Sequence, residues 1–242
     1  MHHCRRLFLG LCLIFLLSLS ASAQPVQPIT ILTPGENSLV TAPIDVTAMI
    51  YPGEDGLVRL TLVDREQNLL ARQLLRVDAP SGTAIEFSTR LFFEIPRETS
   101  AAILSIANQD HLHRPLALRS INLTLAGSGE ESIEPASGMD AWLEITQPEP
   151  GAVIDSSPML IVGTVRPVNS YPVIFELVTE RGGAIVSKQL AVEIPGKALD
   201  FEISLGYPPV TEVRDMRLIV RQSAGFAGGV VILDSLPITL TP

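Results

Sequence analysis

The amino-acid sequence predicts an all-β protein that contains two copies of one β-sandwich unit. Short runs of alternating apolar and polar residues, separated by Pro, Gly, Asn and Asp, are typical of strands and turns. The pattern of the first half is then repeated in the second half. The mature chain contains no segment with the periodicity of an amphipathic helix.

Residues 1–23 have the pattern of a secretory signal peptide. Two arginines precede the largely apolar run Leu7–Leu19, and Ala21-Ser22-Ala23 supplies small residues for cleavage. The run is shorter than the ~20 residues that a membrane-spanning helix needs. We therefore expect cleavage after Ala23 and an exported protein, located in the periplasm, at the cell surface or outside the cell. An uncleaved anchor is the alternative.

Cleavage changes both the cysteine content and the charge of the chain. Cys4 and Cys12, the only cysteines, are removed, which excludes disulfides, zinc–thiolate sites and cysteine nucleophiles from the mature protein. Loss of Arg5 and Arg6 lowers the formal net charge from −9 to −11. Because an acidic protein repels phosphate backbones and anionic lipid surfaces, we expect no nucleic-acid partner. No second apolar segment approaches membrane-spanning length, so we expect no membrane insertion after cleavage.

The first copy, residues 24–126, contains seven predicted strands. Pro43 stands at the start of the second strand, where its missing N–H costs little. Gln67-Asn68 suits a turn between the third and fourth strands, because asparagine tolerates positive φ. The strands lie near 29–33, 44–50, 57–64, 69–77, 84–94, 101–108 and 116–125.

The second copy, residues 141–242, has the same organisation. Pro158 stands at the start of its second strand, and Gly182-Gly183 forms a hairpin turn between the third and fourth. The strands lie near 143–147, 159–165, 172–179, 184–193, 198–207, 215–221 and 229–240.

The two copies correspond at a nearly constant spacing of 114 or 115 residues. VTAMI (46–50) corresponds to IVGTV (161–165), and VRLTLV (58–63) corresponds to VIFELV (173–178). Alternate positions of these runs face one side of a strand, so the same aliphatic positions are expected in both cores. The constant spacing favours internal duplication over two unrelated β-regions of similar composition.

Seven short strands per copy, with turns every ~8–12 residues, are the pattern of an Ig-like sandwich. The second copy opens with an Ile-x-x-Pro pattern, a glycine turn, Ser-Pro and an alternating run that contains glycine. The residues are Ile145, Pro148, Gly151, Ser157, Pro158, Ile161 and Gly163, followed by FELVTERGGAIV at 175–186.

This opening resembles bacterial Ig-like domains, particularly those associated with spore germination proteins. The first copy departs from the pattern at Ala42, Ala48 and Asn68. The resemblance implies an Ig-like fold, an extracytoplasmic setting, and a binding or spacer module without catalytic residues.

Residues 127–140 join the two copies and are predicted to form a flexible linker. Gly, Ser, Pro and Glu dominate AGSGEESIEPASGMD (126–140), a composition that does not drive burial. Its acidic residues could indicate a calcium site. Their spacing, however, does not suit a loop that surrounds the ion with six to eight oxygen ligands. A solvated acidic linker is therefore favoured. The residues concerned are Glu130, Glu131, Glu134 and Asp140.

The loop NQDHLHRP (108–115) contains both histidines of the mature chain. His111 and His113, beside Asp110, could provide half of a metal site. Two nitrogens are too few ligands, and no second cluster offers obvious partners. We interpret the pair as solvated loop residues, and we expect no metal, no cofactor and no catalytic residue.

The remaining signals favour binding over catalysis. The chain lacks the G-x-S-x-G motif of hydrolases and a glycine-rich phosphate loop. Trp142 is the only tryptophan, and we expect it to pack near the linker rather than to stack on sugars. The leading hypothesis is a non-enzymatic interaction or scaffolding module in the cell envelope, bound to an envelope or extracellular protein or polymer. A carbohydrate- or cell-wall-polymer-binding module is the alternative, and an enzyme is least favoured.

Overall fold

The computed structural model describes residues 28–53, 55–66, 68–79, 83–94, 99–136, 142–224 and 229–242. The predicted signal peptide lies outside the described residues. Within them the chain is all-β, with several antiparallel sheets, none closed. This part of the chain holds no helix that could cross a membrane.

The strands of the first half follow the alternating runs of the sequence. They are β1 (Ile29–Thr33), β2 (Leu39–Val40), β3 (Ile44–Ile50), β4 (Leu57–Asp64), β5 (Leu69–Arg76), β6 (Ile85–Leu91), β7 (Thr99–Gln109) and β8 (Pro115–Ala126).

The strands of the second half come in the same order. They are β9 (Leu143–Gln147), β10 (Ala152–Ile154), β11 (Met159–Val165), β12 (Val173–Thr179), β13 (Ala184–Leu190), β14 (Leu199–Leu205), β15 (Arg214–Ser223) and β16 (Val230–Leu240).

Every strand predicted from the sequence is present close to its predicted bounds. The prediction of seven strands per copy is corrected by two short additions, β2 and β10. They pair in parallel with β8 and β16, respectively. Two or three residues are too few for alternation to mark a strand in sequence.

The same sheet topology is present in both halves. The first half contains the three-stranded sheet β1-β3-β6, and the second contains β14-β11-β9. A ten-stranded sheet spans both halves in the order β13-β12-β15-β16-β8-β7-β4-β5, with β2 on β8 and β10 on β16. The halves therefore meet strand against strand, where Leu233 and Ile232 of β16 pair with Leu118 and Arg119 of β8.

Each half has its own cluster of buried apolar side chains. Leu60 and Leu62 are fully buried in the first cluster, and the corresponding Phe175 and Leu177 are fully buried in the second. This confirms that the alternating positions face inward in both halves. Aliphatic burial is the main stabilising contribution of each cluster.

The hairpin between β12 and β13 turns at Gly182, whose φ is 83°. The Thr179 carbonyl accepts a hydrogen bond from the Gly182 N–H, and the Thr179 N–H donates one to the Gly183 carbonyl. The positive φ is one that glycine adopts without steric cost, and it confirms the predicted turn. In the corresponding turn of the first half, Asn68 binds Asp64 through both its backbone N–H and its amide, each at 2.7 Å. Gln67 lies outside the described residues.

The segment predicted as a flexible linker is attached to the first half at residues 131–134. Leu39 and Ser132 exchange two backbone hydrogen bonds of 2.9 Å, and the N–H of Gly35 donates to the Glu134 carbonyl at 3.2 Å. The prediction of flexibility is corrected for this part, because backbone groups provide an attachment that the side-chain composition does not reveal. Residues 137–141, which include Met139 and Asp140, lie outside the described residues.

Candidate functional site

Strand β5 forms one end of the ten-stranded sheet. Among the described strands it pairs only with β4. The N–H of Val77, just beyond β5, donates to the Gly56 carbonyl at 2.8 Å and extends this ladder. Successive residues of a strand direct their backbone N–H and C=O groups to opposite sides. Since the backbone of Val77 faces β4, the backbone groups of Leu75 face β4 as well. Those of Arg72 and Leu74 point away from β4. The outer edge of β5 therefore offers a row of hydrogen-bonding groups.

The side chains of β5 give this edge a basic and aliphatic character. Ala71 points into the core, whereas Leu74 is 52% exposed. Arg72 and Arg76 are also exposed, and β5 contains no acidic residue. In an acidic protein, a basic strand edge of this kind favours an acidic partner and disfavours a basic one.

The opposite end of the ten-stranded sheet is β13, which pairs only with β12 among the described strands. Most of its side chains are exposed, including Ile185. Beside it, Val192 and Ile194 line a shallow groove of about 350 Å³. As far as the described residues extend, both ends of the sheet are thus open to a further strand.

The junction between the halves is held by polar contacts as well as by strand pairing. The Ser235 hydroxyl donates to the Leu116 carbonyl at 2.7 Å. Arg114 donates to the Glu180 carbonyl in the second half. The first contact joins the middle of β16 to the start of β8, and the second joins the loop before β8 to the turn after β12, so these two contacts support the strand pairing of the halves.

Trp142 and Arg119 form the centre of the junction. The guanidinium carbon of Arg119 lies 4.1 Å from the Trp142 ring centroid, a cation–π contact. Burial lowers the pKa of Arg119 to about 9; the charge of Glu36 opposes this shift and that of Arg166 adds to it. Trp142 also packs against the second core, which places it beside the linker as the sequence predicts.

Asp234 lies in the same region, beside Arg119 and Trp142. Burial raises the pKa of Asp234 to about 6, although the backbone hydrogen bond from Ser235 and the charge of Arg217 both act to lower it. The Ser235 N–H donates to its carboxylate at 2.7 Å. Asp234 therefore carries a proton at a higher pH than an ordinary aspartate does.

The structure gives Asp110 a role in closing its loop. Its carboxylate accepts from the Leu112 and Arg114 N–H groups, both at 2.9 Å, and pairs with the Arg114 guanidinium at 2.6 Å. Burial alone would raise the pKa of Asp110, but the hydrogen bonds and charge of Arg114 outweigh it and lower the pKa. His111 and His113 are exposed. The loop thus positions Arg114 for its contact with the second half.

The acidic linker residues that the structure describes are not gathered around a common point. Glu131 accepts from the N–H and hydroxyl of Thr41, at 2.7 and 2.8 Å. Glu134 is held through its backbone, and Glu130 is exposed. Across the described ranges, no group of three or more His, Cys, Asp or Glu side chains is arranged to hold a metal ion.

Neither a protein-family model nor a curated protein matches this chain. Sequence reasoning missed the open edge at β5 and the buried cluster at the junction, because both depend on strand order. A signal for the edge is nevertheless present in LLARQLLR (69–76), a run predicted as a strand that contains two arginines and no acid.

Proposed function

We propose that the protein is an exported, non-enzymatic binding module of two tandem Ig-like sandwiches, and that it acts in the bacterial cell envelope. The export part rests on the signal-peptide pattern of residues 1–23. The Ig-like part is supported by the repeated layout, in which each half has a three-stranded sheet together with four strands of the long sheet and one short parallel strand.

The observation that carries the proposal is the open edge of β5. A partner segment that adds alongside β5 gains backbone hydrogen bonds, and side-chain contacts provide selectivity. Leu74 supplies an apolar contact, and Arg72 and Arg76 attract acidic side chains. The partner is therefore a protein with an extended, acidic segment.

The test compares two substitutions at one position, Leu74→Pro and Leu74→Thr. Both remove the leucine side chain, but only proline removes the N–H that faces outward from β5. The mature chain and both variants are immobilised and exposed to an extract of their own cell envelope. We expect the wild type and Leu74→Thr to retain the same partner, and Leu74→Pro to retain at least about fivefold less of it.

Because the Leu74 N–H takes no part in the β4–β5 ladder, Leu74→Pro is expected to change the free energy of unfolding by less than about 1 kcal/mol. Urea denaturation checks this. Equal partner retention by all three proteins would contradict the proposal. Strong glycan binding without any protein partner would favour the carbohydrate-binding alternative, which has less support because Arg119 covers one face of Trp142.

A further inference from the structure

A second surface lies on the outer face of the ten-stranded sheet, beside the junction of the halves. It is a groove of about 330 Å³. The first half contributes residues of β4, β5, β7 and β8, and the second half contributes Val230 and Leu233 of β16. The volume is at the lower end of the ~300–1,000 Å³ range of sites for small organic ligands.

The lining of the groove is mostly apolar. Ala107 and Leu233 are buried here although neither belongs to the core cluster of its half. Val63, Ile103 and Leu118 also belong to the apolar part. This surface suits an aliphatic or aromatic body a few carbons long.

Two arginines stand on one side of this apolar surface. Arg72 lies opposite Thr61 in the β4–β5 register, and Arg59 lies opposite Leu74, so the arginines are diagonal neighbours on the same face. Diagonal positions are within reach of long side chains. In the described part of the chain, neither arginine forms an ion pair or hydrogen bond with a carboxylate.

The proximity of two like charges is unfavourable unless an anion lies between them. Burial, together with the positive charge of Arg72, lowers the pKa of Arg59. A carboxylate would relieve this repulsion, and the planar guanidinium groups match its two oxygens. The hydroxyls of Thr61 and Ser105 supply further polar atoms in the lining.

We propose that this groove binds a small amphiphilic carboxylate, with its carboxylate between Arg59 and Arg72 and its apolar body over Ala107, Leu118 and Leu233. The proposal goes beyond the function proposed above, because it uses the outer face of the sheet and not the backbone edge of β5. A free small molecule is favoured over a protein side chain, because the groove offers an apolar surface as well as an anion site.

The test is an amide NMR titration of the mature chain with octanoate, octanol, octylamine and acetate, below micelle-forming concentrations. We expect octanoate to shift the amide signals of Thr61, Ser105 and Ala107. Octanol and acetate should each bind at least about tenfold more weakly, because one lacks the charge and the other the apolar body. Octylamine should not bind.

The double variant Arg59→Gln/Arg72→Gln should raise the dissociation constant for octanoate at least about tenfold. Arg90→Gln is the matched control, because Arg90 is an exposed arginine that pairs with Asp45 on the three-stranded sheet. This control should leave binding unchanged.

A single charge reversal, Arg72→Glu, keeps the test decisive if the double variant loses its fold. It should weaken octanoate binding and allow octylamine to bind. The proposal is overturned if octanoate does not bind the wild type, if octanol or acetate binds as tightly, or if Arg72→Glu leaves octanoate binding unchanged. Loss of partner capture by Leu74→Pro tests a different contact, so the two proposals can fail separately.

Discussion

At the scale of single residues, the corresponding strands β3 and β11 are packed with different side chains in the two halves. Gly163 lies opposite Phe201 in the β11–β14 pair, and Phe201 packs edge to face on Phe175, with ring centroids 5.0 Å apart. A Cβ atom on Gly163 would collide with the Glu144 carbonyl oxygen and would lie 2.6 Å from Cζ of Phe201. Glycine is therefore required by close approach, not by its backbone conformation.

The first half has a larger residue at the same position. Ala48 lies opposite Phe87 in the β3–β6 pair and is fully buried. Leu60 stands where the second half has Phe175. Alanine in place of glycine at position 48 thus coincides with leucine in place of phenylalanine at position 60, and the two cores keep one topology with different side chains.

Gly163→Ala is expected to lower the free energy of unfolding by about 1–3 kcal/mol, because the added methyl group overpacks a filled core. Urea denaturation measures the change. The control is Gly206→Ala, since no atom lies within 4 Å of its added Cβ. The control should be unchanged or more stable by up to about 1 kcal/mol. Equal effects of the two substitutions would contradict this account of Gly163.

Asp234 gives the stability of the protein a pH dependence with a definite sign. Its pKa is raised from 3.8 to about 6 in the folded protein. Between these values the folded state binds more protons than the unfolded state, so stability falls as pH rises through this window. The destabilisation is complete above pH 6 and absent below pH 4.

The variant Asp234→Asn removes this titration and keeps an oxygen that can accept from the Ser235 N–H. We expect it to be about 1–2 kcal/mol more stable than the wild type at pH 7.5, with the difference shrinking towards pH 4. Unfolding in urea at several pH values tests this. Asp45→Asn, which removes an exposed carboxylate paired with Arg90, is the control for the substitution itself. A pH-independent difference for Asp234→Asn would contradict the assignment.

At the scale of elements, the short strand β2 attaches the linker to the first half. Ser38 is fully buried, and its hydroxyl donates to the Gly35 carbonyl at 2.8 Å and accepts from the Glu134 N–H at 2.9 Å. In the second half, Ala152 takes the corresponding place at the start of the parallel pairing, and alanine has no hydroxyl. The Ser38 hydroxyl, which binds the linker at Glu134, therefore distinguishes the first half from the second.

Removing this hydroxyl with Ser38→Ala leaves the Glu134 N–H without its acceptor. We expect a loss of about 1–3 kcal/mol in the free energy of unfolding. Limited proteolysis should also cut within residues 127–136 faster than in the wild type. Ser204→Ala, on the exposed face of β14, is the control. Unchanged cleavage in Ser38→Ala would show that the segment is held by other contacts.

At the scale of the whole molecule, one ten-stranded sheet runs through both halves. Two residue pairs join β8 to β16, and the contact of Arg119 with Trp142 lies beside them. Each half retains its own buried cluster. The orientation of the halves is therefore set by a small junction with specific polar contacts, which can be weakened without unfolding either core.

Trp142→Ala is expected to loosen this junction, because it removes the aromatic face that stabilises the buried Arg119 cation. In the wild type, residual dipolar couplings of both halves should fit one alignment tensor. In Trp142→Ala they should require two, while the amide spectra of both cores stay dispersed. Tyr171→Ala, at an exposed aromatic residue of the same half, is the control. Two tensors in the wild type would contradict a fixed orientation.

The strands and their inward faces were predictable because they follow from local alternation. Leu60 and Leu62 in β4, and Phe175 and Leu177 in β12, are buried as period-two positions require. Duplication strengthened the prediction, since each run had a partner at nearly constant spacing. The β12–β13 turn at Gly182 was predictable for the same local reason.

What the sequence by itself determined is the all-β class, the duplicated pattern and the set of core positions, because each depends on neighbours along the chain. The tertiary structure alone decided that β5 lies at an open edge, that β8 meets β16, and that Asp110 binds Arg114 rather than lying free beside His111. It also brought Arg59 and Arg72 together over an apolar groove. The physical reason is that strand order, and the side chains it brings into contact, are fixed by pairing between residues far apart in sequence.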